Sequence, residues 1–145
     1  MGRILALDYG DIHIGVALSD ETGQISMPFK TIIKKDKFTI KPAVKEIGEI
    51  IKEYDIKTIV VGYPKNMDDT LGIRAEVSED FKNRLERNFK KIDILLWDER
   101  LTTQAAKELL DEMQVSPKER KQMIDQVAAS IILRDYIEAT SREQK

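Results

Sequence analysis

The chain has no cysteine, a single histidine and no long apolar run. The absence of cysteine excludes disulfide bonds and metal sites built from thiolates, and one histidine cannot form a multi-histidine metal site. No apolar stretch approaches the ~20 residues that a membrane-spanning helix needs. The first residues, MGRILAL, lead directly into strand-like sequence without the pattern of a signal peptide. We therefore expect a cytoplasmic protein with no membrane contact.

The remaining composition is that of a folded domain with a highly charged surface. Of the 145 residues, 41% are apolar and 34% are charged, and the net charge is −2. We expect a single domain over residues 1–140 and a frayed polar tail over 141–145. Three basic clusters could contact phosphate groups locally or could equally be solvated surface. They comprise Lys34, Lys35 and Lys37; Arg84, Arg87, Lys90 and Lys91; and Lys118, Arg120 and Lys121.

The first third of the chain predicts three strands joined by short turns. Apolar runs over 4–7 and 14–18 flank Gly10, and ISMPFKTIIKK is a third extended segment after a turn at Gly23. Pro28 would place the start of the third strand at a sheet edge or a bulge. The three strands are therefore expected to form an antiparallel meander.

The rest of the chain alternates between helical and strand patterns. Helical spacing begins near Pro42, and the β-branched segments IKTIVVGYP and IDILLW are typical of buried strands. Three more amphipathic helices are predicted, in RAEVSEDFKNRLERNF, from about Thr103 to Met113, and from SPKE to about Ala139. The order β-β-β-α-β-α-β-α-α predicts an α/β fold, a mixed five-stranded sheet with helices on both faces.

Three acidic residues are expected to meet at one edge of this sheet. Asp8 ends the first strand, Glu99 follows a later strand, and Asp125 lies on the last helix. Functional sites of open sheets collect at the carboxyl ends of parallel strands. Clustered carboxylates select Mg²⁺ or Mn²⁺, and such ions can activate water for phosphodiester hydrolysis. The pattern therefore predicts a catalytic metal site.

Each of these acids also has a simpler interpretation. Asp8 could be a turn residue beside Gly10. Asp98 is the alternative ligand at the end of its strand, and Asp125 could form an ion pair with Lys121, one helical turn earlier. The buried stripe of the last helix is predicted to comprise Ile124, Val127, Ala128, Ile131 and Ile132, with Asp125 at its edge.

Four segments of the chain resemble the YqgF/RuvX family in order and spacing: LALDYGDIHIGVALSD, VVGYPKNMDDTLGIRA, DERLTT and IDQVAASIIL. These are small bacterial proteins of ribonuclease H-like fold, related to the Holliday-junction resolvase RuvC. The resemblance extends from Met1 to about Tyr136 and implies a metal-dependent nuclease with acidic ligands at Asp8, Glu99 and Asp125. Family members are described as nucleases that mature the 5′ end of pre-16S rRNA and as Holliday-junction resolvases.

Other residues near the acids are candidates to bind nucleic acid. The family commonly has Lys-Arg before Ile-Gly, where this chain has Ile12 and His13, so His13 either replaces a basic phosphate contact or is structural. Arg100 could bind the scissile phosphate or orient a neighbouring acid. The candidate contacts are His13, Arg100, Lys121 and, in the loop over 63–74 that could also be plain surface, Asn66, Thr70 and Arg74.

The preferred function is hydrolysis of phosphodiester bonds in structured nucleic acid, with pre-16S rRNA favoured over branched DNA. Junction resolvases work as dimers, and the sequence has no heptad or evident apolar interface, so a monomer or weak homodimer is expected. A non-catalytic RNA-binding or antitermination factor is a further alternative, but binding alone would not require clustered carboxylates. A phosphotransferase of the actin/hexokinase type needs two such domains, which 145 residues cannot supply.

Overall fold

The computed structural model describes residues 2–63, 73–98 and 102–143, which form strands and helices in the predicted order. The elements are β1 (Arg3–Tyr9), β2 (His13–Ser19), β3 (Ser26–Ile33), α1 (Lys41–Tyr54), β4 (Ile56–Tyr63), α2 (Ile73–Asn88), β5 (Asp93–Asp98), α3 (Thr102–Glu112) and α4 (Pro117–Glu143). Within these ranges no helix is long and apolar enough to cross a membrane.

The strands form one mixed sheet in the order β3-β2-β1-β4-β5. Strands β1, β4 and β5 are parallel, whereas β2 is antiparallel to β1 and β3 is antiparallel to β2. Pro28 lies on the edge strand β3, where the register with β2 shifts, as its sequence position predicted. The carboxyl ends of β1, β4 and β5 meet at one side of the sheet, which we call the carboxyl edge.

Helices α1 and α2 cover one face of the sheet. Alternate residues of β1, including Leu5 and Leu7, pack in one cluster with Ile47 of α1 and with Phe81 and Leu85 of α2. These side chains are almost completely buried. This face therefore holds the larger part of the core.

Helix α4 covers the other face and is itself covered by α3. The sheet-facing cluster joins Ala6 of β1 to α4, and the second cluster joins α3 to α4. The members from α4 that pack toward the sheet are Ala129, Ile132, Leu133, Tyr136 and Ile137, and those that pack with α3 are Met123, Ile124, Val127, Ala128 and Ile131. All five residues of the predicted stripe therefore belong to the core, but four of them pack with α3 and only Ile132 packs with the sheet.

Helix α4 begins where the sequence predicts and ends later than the sequence predicts. The Oγ of Ser116 accepts a hydrogen bond from the backbone N–H of Glu119 at 3.2 Å, as expected for an N-terminal cap before Pro117. The helix continues to Glu143, beyond the predicted end at Ala139. The long helix therefore crosses the whole sheet.

Candidate metal and nucleic-acid site

Asp8 lies inside β1, not in the turn that follows it. The strand was expected to end at Asp8 but continues to Tyr9. Asp8 has a Cα partner on either side, Gly15 in β2 and Gly62 in β4. Since Ala6 packs toward α4 and alternate strand residues share a face, Asp8 is placed on the α4 side of the sheet. Asp8 is thus a strand residue, and its turn interpretation is wrong.

Helix α4 approaches this part of the sheet at Gly15. A Cβ atom added to Gly15 would lie 2.0 Å from the backbone oxygen of Asp125 and 2.4 Å from its carbonyl carbon. Only glycine allows this contact, and Gly15 is the strand partner of Asp8. The packing therefore brings Asp125 beside the carboxyl end of β1. The sequence analysis missed Gly15, although a glycine inside a strand is a signal of close backbone approach.

Asp125 also contacts the first residue of β2. The Nδ1 atom of His13 lies 3.5 Å from Oδ2 of Asp125, and the two side chains are 51% and 31% exposed. Sequence spacing suggested Lys121 as the ion-pair partner, but Lys121 is exposed on α4 and the structure pairs Asp125 with His13 instead. The contact is an ion pair whenever His13 is protonated.

A row of residues links Asp8 to β5. Gly62, the β4 partner of Asp8, is itself the partner of Trp97 in β5. Two strand spacings separate Asp8 from Trp97, or about 10 Å. Trp97 is partly buried and packs toward α4, with its ring centre 5.4 Å from that of Tyr136. The end of β5 therefore lies on the same row as Asp8.

Several predicted site residues fall outside the described part of the chain. They are Glu99, Arg100, Asn66 and Thr70. The backbone of Arg74 belongs to the first turn of α2 and that of Asp98 ends β5, while their side chains are not among those described. The structure thus pairs His13 with Asp125 and packs the backbone of Asp125 against Gly15, the strand partner of Asp8, and it leaves the remaining contacts as predictions.

The described carboxylates suit a divalent cation but do not complete a site. Asp8 and Asp125 supply the hard oxygen donors that Mg²⁺ and Mn²⁺ prefer. Among residues 2–63, 73–98 and 102–143, no three side chains of the ligand-forming types gather closely enough to hold a metal ion. The donor chemistry therefore fits Mg²⁺ or Mn²⁺ if a further ligand comes from another segment, and Glu99 is the predicted one.

Beside the site, Lys34 is buried with only 4% of its surface exposed. Its Nζ donates a hydrogen bond to the hydroxyl of Tyr9 at 2.8 Å, and the ring of Tyr9 stacks on Phe81 at 4.1 Å. The sequence grouped Lys34 with Lys35 and Lys37 as one basic cluster. The structure separates them, because Lys35 and Lys37 are exposed. Lys34 therefore anchors the segment after β3 against the end of β1.

Comparison with known proteins gives matches along nearly the whole chain. The profile of a family described as RuvX, Holliday junction resolvase, matches residues 2–139. A protein of Lachnospira eligens named "Putative pre-16S rRNA nuclease" is 48% identical over 140 residues, covering 97% of this chain and 99% of its own length. A protein of the same name from Geobacillus sp. is 46% identical, covering 94% of this chain and 98% of its own length.

A solved structure confirms the fold predicted from the sequence. Thermus thermophilus RuvC in complex with Holliday junction substrate matches with a TM-score of 0.61, covering 98% of this chain and 97% of its own. The two sequences are 11% identical, so the likeness concerns the fold alone. The mixed sheet with helices on both faces is therefore of the RuvC and ribonuclease H-like type.

Proposed function

We propose that this chain, which belongs to the RuvX family, is a metal-dependent nuclease that matures the 5′ end of pre-16S rRNA. One observation carries the proposal: the backbone of Asp125 packs directly on Gly15, the strand partner of Asp8. This packing sets Asp125 beside the strand partner of Asp8, which supports a shared role for the two acids at the carboxyl edge. The name shared by the two relatives supports the choice of substrate.

Asp8, Asp125 and Glu99 are the proposed ligands of Mg²⁺ or Mn²⁺. Leu95 and Trp97 of β5 pack on the side of the sheet that α4 covers. Glu99 follows β5 in the sequence, and its longer side chain favours it over Asp98. When bound, the cation would lower the pKa of a water molecule and stabilise the leaving oxygen of the phosphodiester.

The chain's own residues would fix the ligands and admit the substrate. Asp8 is held by strand pairing on both sides, so its backbone loses no further conformational entropy when the substrate binds. His13 contacts Asp125 and is half exposed, which leaves its ring accessible to a substrate phosphate. Contacts by Arg100, Lys121, Asn66, Thr70 and Arg74 remain predictions, as do a cytoplasmic location and a monomeric or weakly dimeric state.

The test compares two substrates with and without Mn²⁺. We expect the protein to cleave an end-labelled ribosomal precursor faster than a four-way DNA junction, and only with the metal. Asp125→Asn should lower the rate by orders of magnitude, because removal of a charged ligand weakens metal binding. Asp55→Asn is the matched control, since Asp55 ends α1 at the opposite edge with φ 53°, a conformation that asparagine tolerates.

Four results would contradict the proposal. Equal cleavage in a chelator would exclude metal dependence, and parental cleavage by Asp125→Asn would exclude its role as a ligand. Faster cleavage of the junction would favour the resolvase activity named by the family description. Binding of the precursor without any cleavage would favour the non-catalytic alternative. In addition, millimolar Mn²⁺ should raise the Tm of the parent but not of Asp125→Asn.

A further inference from the structure

Three large apolar side chains are exposed beside the candidate site. Phe38 is 82% exposed, Ile33 is 71% exposed and Ile12 is 43% exposed. Ile33 is the strand partner of His13, and the carbonyl of Ile12 accepts the backbone N–H of Lys34 at 2.6 Å. The three residues thus belong to adjoining segments at the end of the sheet that carries His13. Such a concentration of exposed apolar surface is typical of an interaction site.

The loop that carries Phe38 has a fixed shape. Oδ1 of Asp36 accepts hydrogen bonds from the hydroxyl and the N–H of Thr39, each at 2.8 Å, and from the N–H of Phe38 at 2.9 Å. The bond from the Thr39 hydroxyl contributes most to lowering the pKa of Asp36. At the start of the loop, the buried Lys34 bonds to Tyr9. Phe38 is therefore presented to solvent by a constrained backbone.

Positive charge accompanies the exposed aromatic ring. Lys35 and Lys37 are exposed, and Nζ of Lys37 lies 5.2 Å from the centre of the Phe38 ring. The only acidic residue between the two lysines, Asp36, is engaged in the loop's own hydrogen bonds. The chain as a whole has a net charge of −2, so this positive charge is a local feature. Aromatic rings flanked by lysines are the usual means of binding unpaired nucleotides.

We propose that Phe38, accompanied by Lys35 and Lys37, forms a stacking surface for an unpaired stretch of the nucleic-acid substrate. One base stacks on Phe38, and neighbouring phosphates contact Lys35 and Lys37. The inference rests on the proposed function for the identity of the ligand, because the loop follows Ile33, the strand partner of His13, which contacts Asp125. It would hold the single-stranded segment next to the scissile bond.

The decisive measurement is fluorescence anisotropy with labelled oligonucleotides in the Asp8→Asn background, so that no cleavage occurs. The probes are single-stranded RNA of about ten nucleotides, the site size of a small domain, single-stranded DNA of the same sequence, and a blunt RNA duplex. Phe38→Ala should weaken single-strand binding by about 10-fold while Phe38→Trp restores it, since stacking accounts for this difference. Ile25→Ala is the control, because Ile25 is 60% exposed at the opposite end of the β2–β3 hairpin.

The lysines are tested through the dependence of binding on salt. Each phosphate contact contributes about 0.7 to the slope of log K against log salt for single strands, so Lys35→Gln with Lys37→Gln should lower the slope by about twice that. Lys52→Gln is the control, since Lys52 is exposed in the last turn of α1, near the other edge of the sheet. Tighter binding of RNA than of DNA would show that the surface recognises a ribonucleotide segment. Equal binding would show that it recognises only the bases and phosphates.

The outcomes separate this inference from the nuclease proposal. If Phe38→Ala and the parent bind single strands equally while the parent cleaves the precursor, the stacking surface is wrong and the nuclease proposal stands. If the parent cleaves nothing but binds single strands through Phe38, the nuclease proposal fails and the surface stands. A loss of self-association in Phe38→Ala with unchanged RNA affinity would make the surface a contact between copies of the chain and would overturn the inference.

Discussion

Carboxylates lie near both ends of β2, and the structure holds them in opposite ways. At one end, Asp20 forms the turn to β3: Oδ1 accepts the N–H groups of Gln24 and Ile25 at 2.9 and 3.0 Å, and Oδ2 accepts the hydroxyl of Thr22 at 2.7 Å. These bonds, with that of Thr22 the largest, lower the pKa of Asp20 to about 2. The carboxylate of Asp20 therefore stabilises the turn between β2 and β3.

At the other end, the acids come from regular elements. Asp8 lies within β1, and Asp125 lies within α4, held against Gly15 and His13. Neither residue forms a turn, and the approach of Asp125 to the strand partner of Asp8 depends on packing between segments more than a hundred residues apart in sequence. A turn aspartate is satisfied by its neighbours in the chain, whereas acids gathered by tertiary packing are suited to bind an external cation.

The largest expected effect is the difference in cleavage rate between Asp8→Asn and Asp20→Asn, the same substitution near the two ends of β2. Asp8→Asn should lower metal-dependent cleavage by orders of magnitude, because a bound metal ion supplies several kcal/mol of the catalysis. Asparagine keeps the shape of the side chain, so the fold and the Tm without metal should be preserved. Asp20→Asn should leave the cleavage rate unchanged. Cleavage rates and Tm values of both variants and the parent test this difference.

The comparison between the two ends would fail in either of two ways. Cleavage by Asp8→Asn at a near-parental rate would show that its carboxylate has no catalytic role. A similar loss of rate in Asp20→Asn would show that the effect of Asp8→Asn is transmitted through the fold.

A smaller effect is expected when the packing that holds Asp125 is disturbed. Gly15→Ala would force α4 away from β2, since the added Cβ would lie 2.0 Å from a backbone atom. Overpacking of this kind costs about 1–3 kcal/mol. Urea unfolding should show this loss, and the rise of Tm with Mn²⁺ should diminish because Asp125 is displaced.

Gly48→Ala is the matched control for this substitution. A Cβ at Gly48 would meet Cε1 of Phe89 at 3.2 Å, a side-chain atom that can shift, and alanine favours the helix. Its stability should therefore remain close to that of the parent. Gly15→Ala with parental stability and a parental response to Mn²⁺ would show that α4 does not need this close contact.

The sequence was sufficient for features that depend on local pattern and insufficient for those that depend on packing. The element order and the cap at Ser116 follow from periodicity and short-range hydrogen bonding. Asp125 was predicted as a site residue, and the alternative interpretation paired it with Lys121, one helical turn away. The observed partner, His13, is brought close only because α4 crosses β2.

The division of the α4 stripe between two neighbours has the same origin. A helical period indicates which residues share a face, but it does not say which neighbour covers that face. Val127 and Ala128 pack with α3, whereas Ala129 packs with the sheet. Likewise, a run of lysines cannot reveal that Lys34 alone is buried, since its partner Tyr9 is 25 residues away in sequence.

The smallest expected effect is the pH dependence of the turn at Asp20. Its pKa in the folded protein is about 2, lowered from 3.8, so the ionised form is favoured by folding. The stabilisation is therefore complete above about pH 4 and is lost as the pH falls through about 2. The effect is small because Asp20 lies in a surface turn, where solvent screens its charge. It should appear as a Tm difference between the parent and Asp20→Asn that shrinks across this window.

Thr22→Val sharpens this last measurement. It removes the hydrogen bond that contributes most to the lowered pKa of Asp20, so the pKa should rise toward 3.8 and the loss of stability should begin at a higher pH than in the parent. If the Tm difference between the parent and Asp20→Asn were the same at neutral pH and at about pH 2, the charge of Asp20 would not be its source. The turn would then be stabilised by its hydrogen-bond geometry alone, which asparagine would reproduce only in part.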